Sequence, residues 1–344
     1  INVAQSIVDR RDWTVRKQIL IDTEIAKKAR EIVRENVRRE ILLRYWEILR
    51  YEESIALLAK EMNGPLQQLE IQARQAIAAG IRTSADLSAN LLQIANLKLT
   101  ILRYQAELDE SLEQLGLLVG SRIESIRPRD QNMQDPGLKV ILKGKQRTLE
   151  VENLRLEAET VGVDIAASGF WPSLSLSANF QSSIDSFQGQ LSNLQSRRRG
   201  ISYGLNLNVP LFSGLSDFHA RQAAQSRRLA AEVRRDAHSA ELDIRRSSAA
   251  RRVELAYMRH LEALSLTKQS LDLQATVLRR QEAGLGSFDY VIGPRVQALE
   301  LSLSSIGTFY DYLSIVTAEY SDSGSLDETV IDGIEKAVLS SSES

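Results

Sequence analysis

The residues of this chain best suited to proton transfer or metal ligation are three histidines, His219, His238 and His260, and none has a partner at metal-ligand spacing. Cysteine is absent, which removes thiolate nucleophiles, disulfides, zinc ribbons and iron–sulfur ligation. No glycine-rich phosphate loop and no Ser-His-Asp order can be assembled. Carboxylates are plentiful, 45 Asp and Glu against 43 Lys and Arg, and on the helical faces they stand beside Arg and Lys, the pattern of solvated ion pairs. No enzymatic activity, cofactor or metal is therefore expected. A formal charge of −2 is too balanced for a polyanion binder, and no aromatic stacking platform is interleaved with the arginines, so nucleic acid is not an expected partner.

What the sequence does carry is an interfacial chemistry of alternating side chains. Within residues 172 to 182, Leu174, Leu176, Ala178 and Phe180 share one face, with serines and Asn179 on the other. Residues 201 to 212 repeat the alternation: Ile201, Tyr203, Leu205, Leu207, Val209 and Leu211 oppose Ser202, Gly204, Asn206, Asn208 and Pro210. Period two predicts strands, each with one apolar and one small polar face. The serine-, glutamine- and asparagine-rich residues between them, 183 to 200, ending in Arg197, Arg198 and Arg199, predict a solvent-exposed connection. Those arginines are candidates for lipid phosphates, with an ordinary loop as the alternative.

These strands must be positioned by long helices. Only 18 glycines and 6 prolines occur in 344 residues. Residues 10 to 63 contain neither, and their apolar positions recur at steps of three, four and seven. Residues 215 to 283 again lack both, enough for a helix of about 100 Å at 1.5 Å per residue. No run of 18 apolar residues exists, so no transmembrane helix is predicted, whereas insertion by strands stays open.

An internal repeat organises these elements. Asn2 and Asn206, Arg30 and Arg234, Leu57 and Leu261, Ala79 and Ala283, and Gly80 and Gly284 are each 204 residues apart. The frame lays residues 1 to 8 over the end of the second strand. The expected domains are a first repeat at 1–120, a linker at 121–135, a second repeat at 136–320 containing the β-hairpin 172–212, and a flexible tail at 321–344. In this reading the chain starts inside a strand, and about 70 residues of the first repeat would precede it.

In that order, twice, these segments resemble the TolC-like outer-membrane channels of drug efflux and type I secretion. The carrying residues are Phe170, Trp171, Pro172 and Ser173 entering the first strand, the second strand from Leu205 to Gly214, and the helix turns at 80–87 and 282–289. The resemblance implies a mainly α fold with a small β part. Long antiparallel helical hairpins would form a periplasmic α-barrel in a homotrimer, and β-hairpins would join one shared transmembrane β-barrel. It implies a passive conduit for small molecules or proteins, coupled by a periplasmic adaptor (membrane fusion) protein to an inner-membrane pump. Leu174, Leu176, Phe180, Tyr203, Leu205, Leu207, Val209 and Leu211 would meet outer-membrane lipid, and Phe170 and Trp171 would anchor the periplasmic boundary. Gly80, Ser84, Asp86, Leu87, Gly284, Leu285, Ser287 and Asp289 would form the periplasmic tip, where the adaptor docks and carboxylate rings narrow the aperture.

Other readings stand beside these. The turn residues also serve simply to end one helix and start the next. Two departures mark this region: Pro294 is expected to delay or kink the returning helix, and Asn63, Gly64 and Pro65 interrupt the first repeat without a counterpart in the second. The arginine rows at 221, 228, 235 and 246 and at 227, 234, 245 and 252 predict an ion-pairing face, with a tunnel lining for anionic cargo as the minority reading. For the whole chain the alternative is a soluble elongated helical coiled-coil scaffold.

Overall fold

The computed structural model describes residues 2–78, 84–123, 147–189, 192–211, 215–283, 289–324 and 326. The elements run β1 (Asn2–Val8), α1 (Arg10–Met62), α2 (Pro65–Ala78), α3 (Ser84–Val119), α4 (Arg147–Ser168), β2 (Ser173–Gly189), β3 (Ser192–Asn208), α5 (Ser216–Glu282) and α6 (Asp289–Asp322). A mainly helical chain with one small antiparallel sheet is what the pattern predicted. Adding 204 to the bounds of α1, α2 and α3 gives 214–266, 269–282 and 288–323, against 216–282 for α5 and 289–322 for α6. The repeat in sequence is thus a repeat in structure.

Its clearest marks are two glycines that the sequence reading passed over. Gly120 and Gly324, also 204 apart, both adopt positive φ, 78° and 68°, just past the ends of α3 and α6. Glycine takes that conformation without Cβ strain and lets the chain turn back over the last helical carbonyls. The Gly120 amide donates to the Gly116 carbonyl at 2.8 Å, and the Gly324 amide to the Ser321 carbonyl at 2.9 Å. An apolar residue follows each turn into the core: Ile123 against Leu112 and Leu115, and Leu326 into the cluster around Trp46.

The chain divides into two units, Ile1–Ile32 with Arg147–Leu242, and Val33–Gln146 with Asp243–Ser344. In the first, the sheet has the order β1-β2-β3, all antiparallel. Asp9 starts α1 as an N-cap, its carboxylate accepting the Arg11 amide at 2.8 Å. Ile21 packs with Ala158 and Val161 of α4. Flanking ion pairs join Lys28 to Glu150 at 3.1 Å and Lys17 to Glu157 at 3.6 Å. The Lys28 ammonium is held above its ordinary pKa by its hydrogen bond to Glu150.

The second unit is helical. Trp46 and Leu49 of α1 and Val253 and Ala256 of α5 close on Phe309, Tyr310, Tyr312, Leu313, Val316 and Tyr320 of α6. The buried seam of α5 reads Ala249, Val253, Ala256, His260 and Ala263, steps of four and three that keep one stripe against a neighbour. Small residues there let the helices approach closely, and the Thr267 hydroxyl lies 3.0 Å from the Leu301 carbonyl of α6. Arg252 grips the buried Glu319 through two hydrogen bonds of 2.6 and 3.0 Å.

Two expectations need correction. Residues 183–200 are not a long connection: β2 runs to Gly189 and β3 starts at Ser192, paired without a break. Serine, glutamine and asparagine lower strand propensity only weakly, and a hairpin already in register extends at little cost. Pro294 does not delay α6, which starts at Asp289 and carries it inside. Burial of Val291, Ile292, Val296 and Leu299 against Leu58, Leu66, Leu69 and Leu97 outweighs the missing amide. The break at Asn63 and Gly64 is present, between α1 and α2.

Trp46, 1% exposed, donates its indole N–H to the Thr317 hydroxyl at 3.1 Å. Trp46→Phe should cost about 1–2 kcal/mol and Trp46→Ala about 3–5 kcal/mol in denaturant titrations followed by far-ultraviolet circular dichroism. Burial raises the Glu53 carboxyl above its ordinary 4.5, partly offset by the hydrogen bond it accepts from the Tyr310 hydroxyl at 3.1 Å. The folded state therefore holds that proton more tightly, so this group's contribution is full below 4.5 and lost as pH rises through the raised folded value. Glu53→Gln should flatten the melting temperature across that window and raise it at neutral pH; an unchanged slope would refute this assignment.

Candidate functional site

The residues expected to meet lipid are brought onto one face by strand register. Leu174 pairs with Leu207, Leu176 with Leu205, Ala178 with Tyr203 and Phe180 with Ile201. The rungs between are Ser173 with Asn208, Ser175 with Asn206, Ser177 with Gly204 and Asn179 with Ser202. A slip of one residue would mix the two sets, so the pattern itself selects the register. On β1, Val3 joins the apolar face opposite Ala178, and an irregularity between Ser6 and Val8 brings Val8 opposite Leu174. Gln5, opposite Leu176, is the polar exception.

Nothing in the described chain covers this face. Leu205 is 65% exposed and Leu207 67%, and Val3, Leu176, Phe180, Ile201, Tyr203, Val209 and Leu211 are also exposed. Leu174 is half-buried. The opposite face is small and hydrogen-bonded: the Ser177 hydroxyl donates to the Gly204 carbonyl at 3.2 Å, and the Asn206 amide donates to the Ser177 hydroxyl at 3.4 Å. A Cβ on Gly204 would stand 3.0 Å from that hydroxyl, so glycine keeps the space clear.

Aromatic residues collect where the strands meet the helices. Phe170 and Trp171 are exposed, as expected, with the Trp171 amide donating to the Ser168 carbonyl at 3.0 Å. The Arg10 guanidinium lies 4.5 Å from the centre of the Trp171 ring, a cation–π contact that orients it. Sequence reasoning missed two companions, Trp13 in the first turn of α1 and Phe218 in that of α5, 65% and 56% exposed. Both follow strand ends paired to the start of β2, and that topology was the missing signal.

Of the tip residues, Gly80, Gly284, Leu285 and Ser287 lie outside the described residues. Ser84, Asp86 and Leu87 belong to the first turn of α3, and Asp289 is the first residue of α6. Further along the same helices, Arg295 of α6 pairs with Glu61 of α1 at 2.9 Å, 13% and 21% exposed, beside the apolar cluster of Leu58, Leu66 and Ile292. At least four of the eight arginines in the α5 rows face carboxylates: Arg227 faces Glu159, Arg228 Glu232, Arg235 Asp236 and Arg252 Glu319. No described helix is long and apolar enough to cross a membrane.

A sheet with one bare apolar face, hung from paired long helices in two repeats, defines the fold of the TolC-like outer-membrane channels, and the comparisons bear out that resemblance. No family model matches the chain. A curated relative, outer membrane protein TolC of Vibrio cholerae serotype O1, is 23% identical over 228 residues, 62% of this chain and 50% of its own length. The chain thus spans about half of that relative. Among solved structures, the Campylobacter jejuni CmeC outer membrane channel superposes with a TM-score of 0.77 at 13% identity, covering 98% of this chain and 73% of CmeC. The outer-membrane channel OprN gives 0.79 at 15%, covering 94% and 74%. VceC from Vibrio cholerae gives 0.78 at 16%, covering 94% and 78%. The relatives found are channel proteins rather than enzymes.

If the apolar face meets hydrocarbon, a cation there is costly and one on the polar face is not. Leu205→Arg and Leu207→Arg should each destabilise the membrane-inserted form by about 2–4 kcal/mol. The amount of the chain recovered in the membrane fraction should fall accordingly, whereas Asn206→Arg should leave it in place.

Proposed function

We propose that this chain is part of an outer-membrane channel-tunnel that exports small molecules or proteins passively, in a tripartite efflux or type I secretion system. The carrying observation is the bare apolar face of the β1-β2-β3 sheet. Three strands cannot enter lipid alone, because the free amides and carbonyls along β1 and β3 would go unpaired. Copies of the chain joining their sheets into one barrel satisfy those edges, with Ser175, Ser177, Asn206 and Asn208 toward a watery lumen. A homotrimer, as the family resemblance implies, is the proposed assembly. The helices then belong in the periplasm, and the aromatic cluster of Trp13, Phe170, Trp171 and Phe218 marks the inner boundary of the membrane.

Domain boundaries of 1–120, 121–135, 136–320 and 321–344 fit this reading, which assigns the conduit no chemical step and no cofactor. The tip formed by Gly80, Ser84, Asp86, Leu87, Gly284, Leu285, Ser287 and Asp289 receives a periplasmic adaptor protein, and an inner-membrane pump supplies the energy. A soluble helical scaffold is the weaker reading, since it gives no reason for so much apolar strand surface.

These 344 residues contain no cysteine, so a disulfide between the introduced thiols is read without competition from other positions in them. Asp86→Cys and Asp289→Cys, oxidised across neighbouring protomers, should abolish export and conductance, and reduction should restore both. Undiminished export with the crosslink in place would refute an opening tip.

A further inference from the structure

We infer that Arg197 and Arg199 form a binding site for the phosphates of lipid A in the outer leaflet, resting on the membrane reading proposed above. The strand register carries the argument. On β3, residues 197 and 199 share the face of Ile201, Tyr203, Leu205 and Leu207, whereas Arg198 belongs to the face of Ser202 and Asn206. The run from 201 to 211 has the length of one tilted transmembrane strand, about 9–11 residues. Its far end from the helices is the rung Ile201–Phe180, and the next position on the same face is Arg199, exposed and opposite Ser182. Position 197 follows about 7 Å further along, opposite Ile184.

Two guanidinium-bearing positions therefore stand directly above the apolar band on its outward side. By register, the cross-strand and diagonal positions around residue 199 on that face are Phe180, Ser182 and Ile184, none of them an acidic residue. Asp185, opposite Ser196, belongs to the other face. An arginine at this depth meets headgroups, and its planar fork matches phosphate oxygens. With the helices on the periplasmic side, this end opens to the outer leaflet, whose anionic groups in a bacterial outer membrane are the phosphates of lipid A. The face separation makes Arg198 an internal control of equal charge.

The test uses the full-length protein from the membrane fraction, exchanged into nanodiscs of phosphatidylcholine with diphosphoryl lipid A, dephosphorylated lipid A or phosphatidylglycerol. Lipids retained on the oligomer are counted by native mass spectrometry. Diphosphoryl lipid A should be retained, and Arg197→Ser with Arg199→Ser should reduce its retention about tenfold or more, whereas Arg198→Ser should not. Equal loss with Arg198→Ser, equal retention of dephosphorylated lipid A, or equal retention of phosphatidylglycerol would each overturn the assignment. A wild-type protein that enters no nanodisc would instead overturn the channel reading. One that inserts normally while the double variant keeps its lipid A overturns only this inference.

Discussion

Backbone hydrogen bonding is the constraint on which the rest of this molecule depends. The β1-β2-β3 sheet ends at β1 on one side and β3 on the other, and both carry amides and carbonyls that nothing in the described chain satisfies along the outer edge. In water such edges invite unwanted pairing, and in lipid they are intolerable. Association into a closed barrel relieves both problems, and only then does a face of Leu205, Leu207, Ile201 and Tyr203 become an asset. In the proposed channel, oligomerisation and membrane insertion are thus one requirement seen from two sides.

The helices answer to a different demand, which is packing at near-constant separation over many turns. The α5 seam supplies small side chains, Ala249, Ala256 and Ala263, where α6 supplies large ones such as Phe309 and Leu313. Polar ties are added where they fix register: Trp46 to Thr317, Arg252 to Glu319 and Arg295 to Glu61. Each joins elements distant in sequence, so a shift along the seam breaks a specific contact as well as the apolar fit.

Much of this was legible beforehand, and the reasons are physical. Period-two alternation from 172 to 182 and 201 to 212 identified the faces because successive side chains of a strand point to opposite sides of the sheet. The offset of 204 revealed the repeat because equivalent elements meet equivalent surroundings. What escaped depended on pairing partners. The polar outer half of the hairpin read as loop because its strand character comes from the partner strand, Arg199 against Ser182, rather than from its own residues. A delayed start of α6 at Pro294 was expected because the burial of Ile292 and Val296 lies in tertiary contacts. Trp13 and Phe218 looked like ordinary helix residues until topology put them beside Trp171 at one end of the sheet.

The most direct test is an accessibility scan of the second strand in a bilayer. Single cysteines placed at each position from 201 to 208, spin-labelled, report collision with oxygen, which concentrates in hydrocarbon, and with a water-soluble nickel chelate. The account predicts strict alternation, with 201, 203, 205 and 207 favouring oxygen and 202, 204, 206 and 208 favouring nickel. Uniform exposure to nickel at all eight positions would mean that the strand never touches lipid, and would contradict the account at its root.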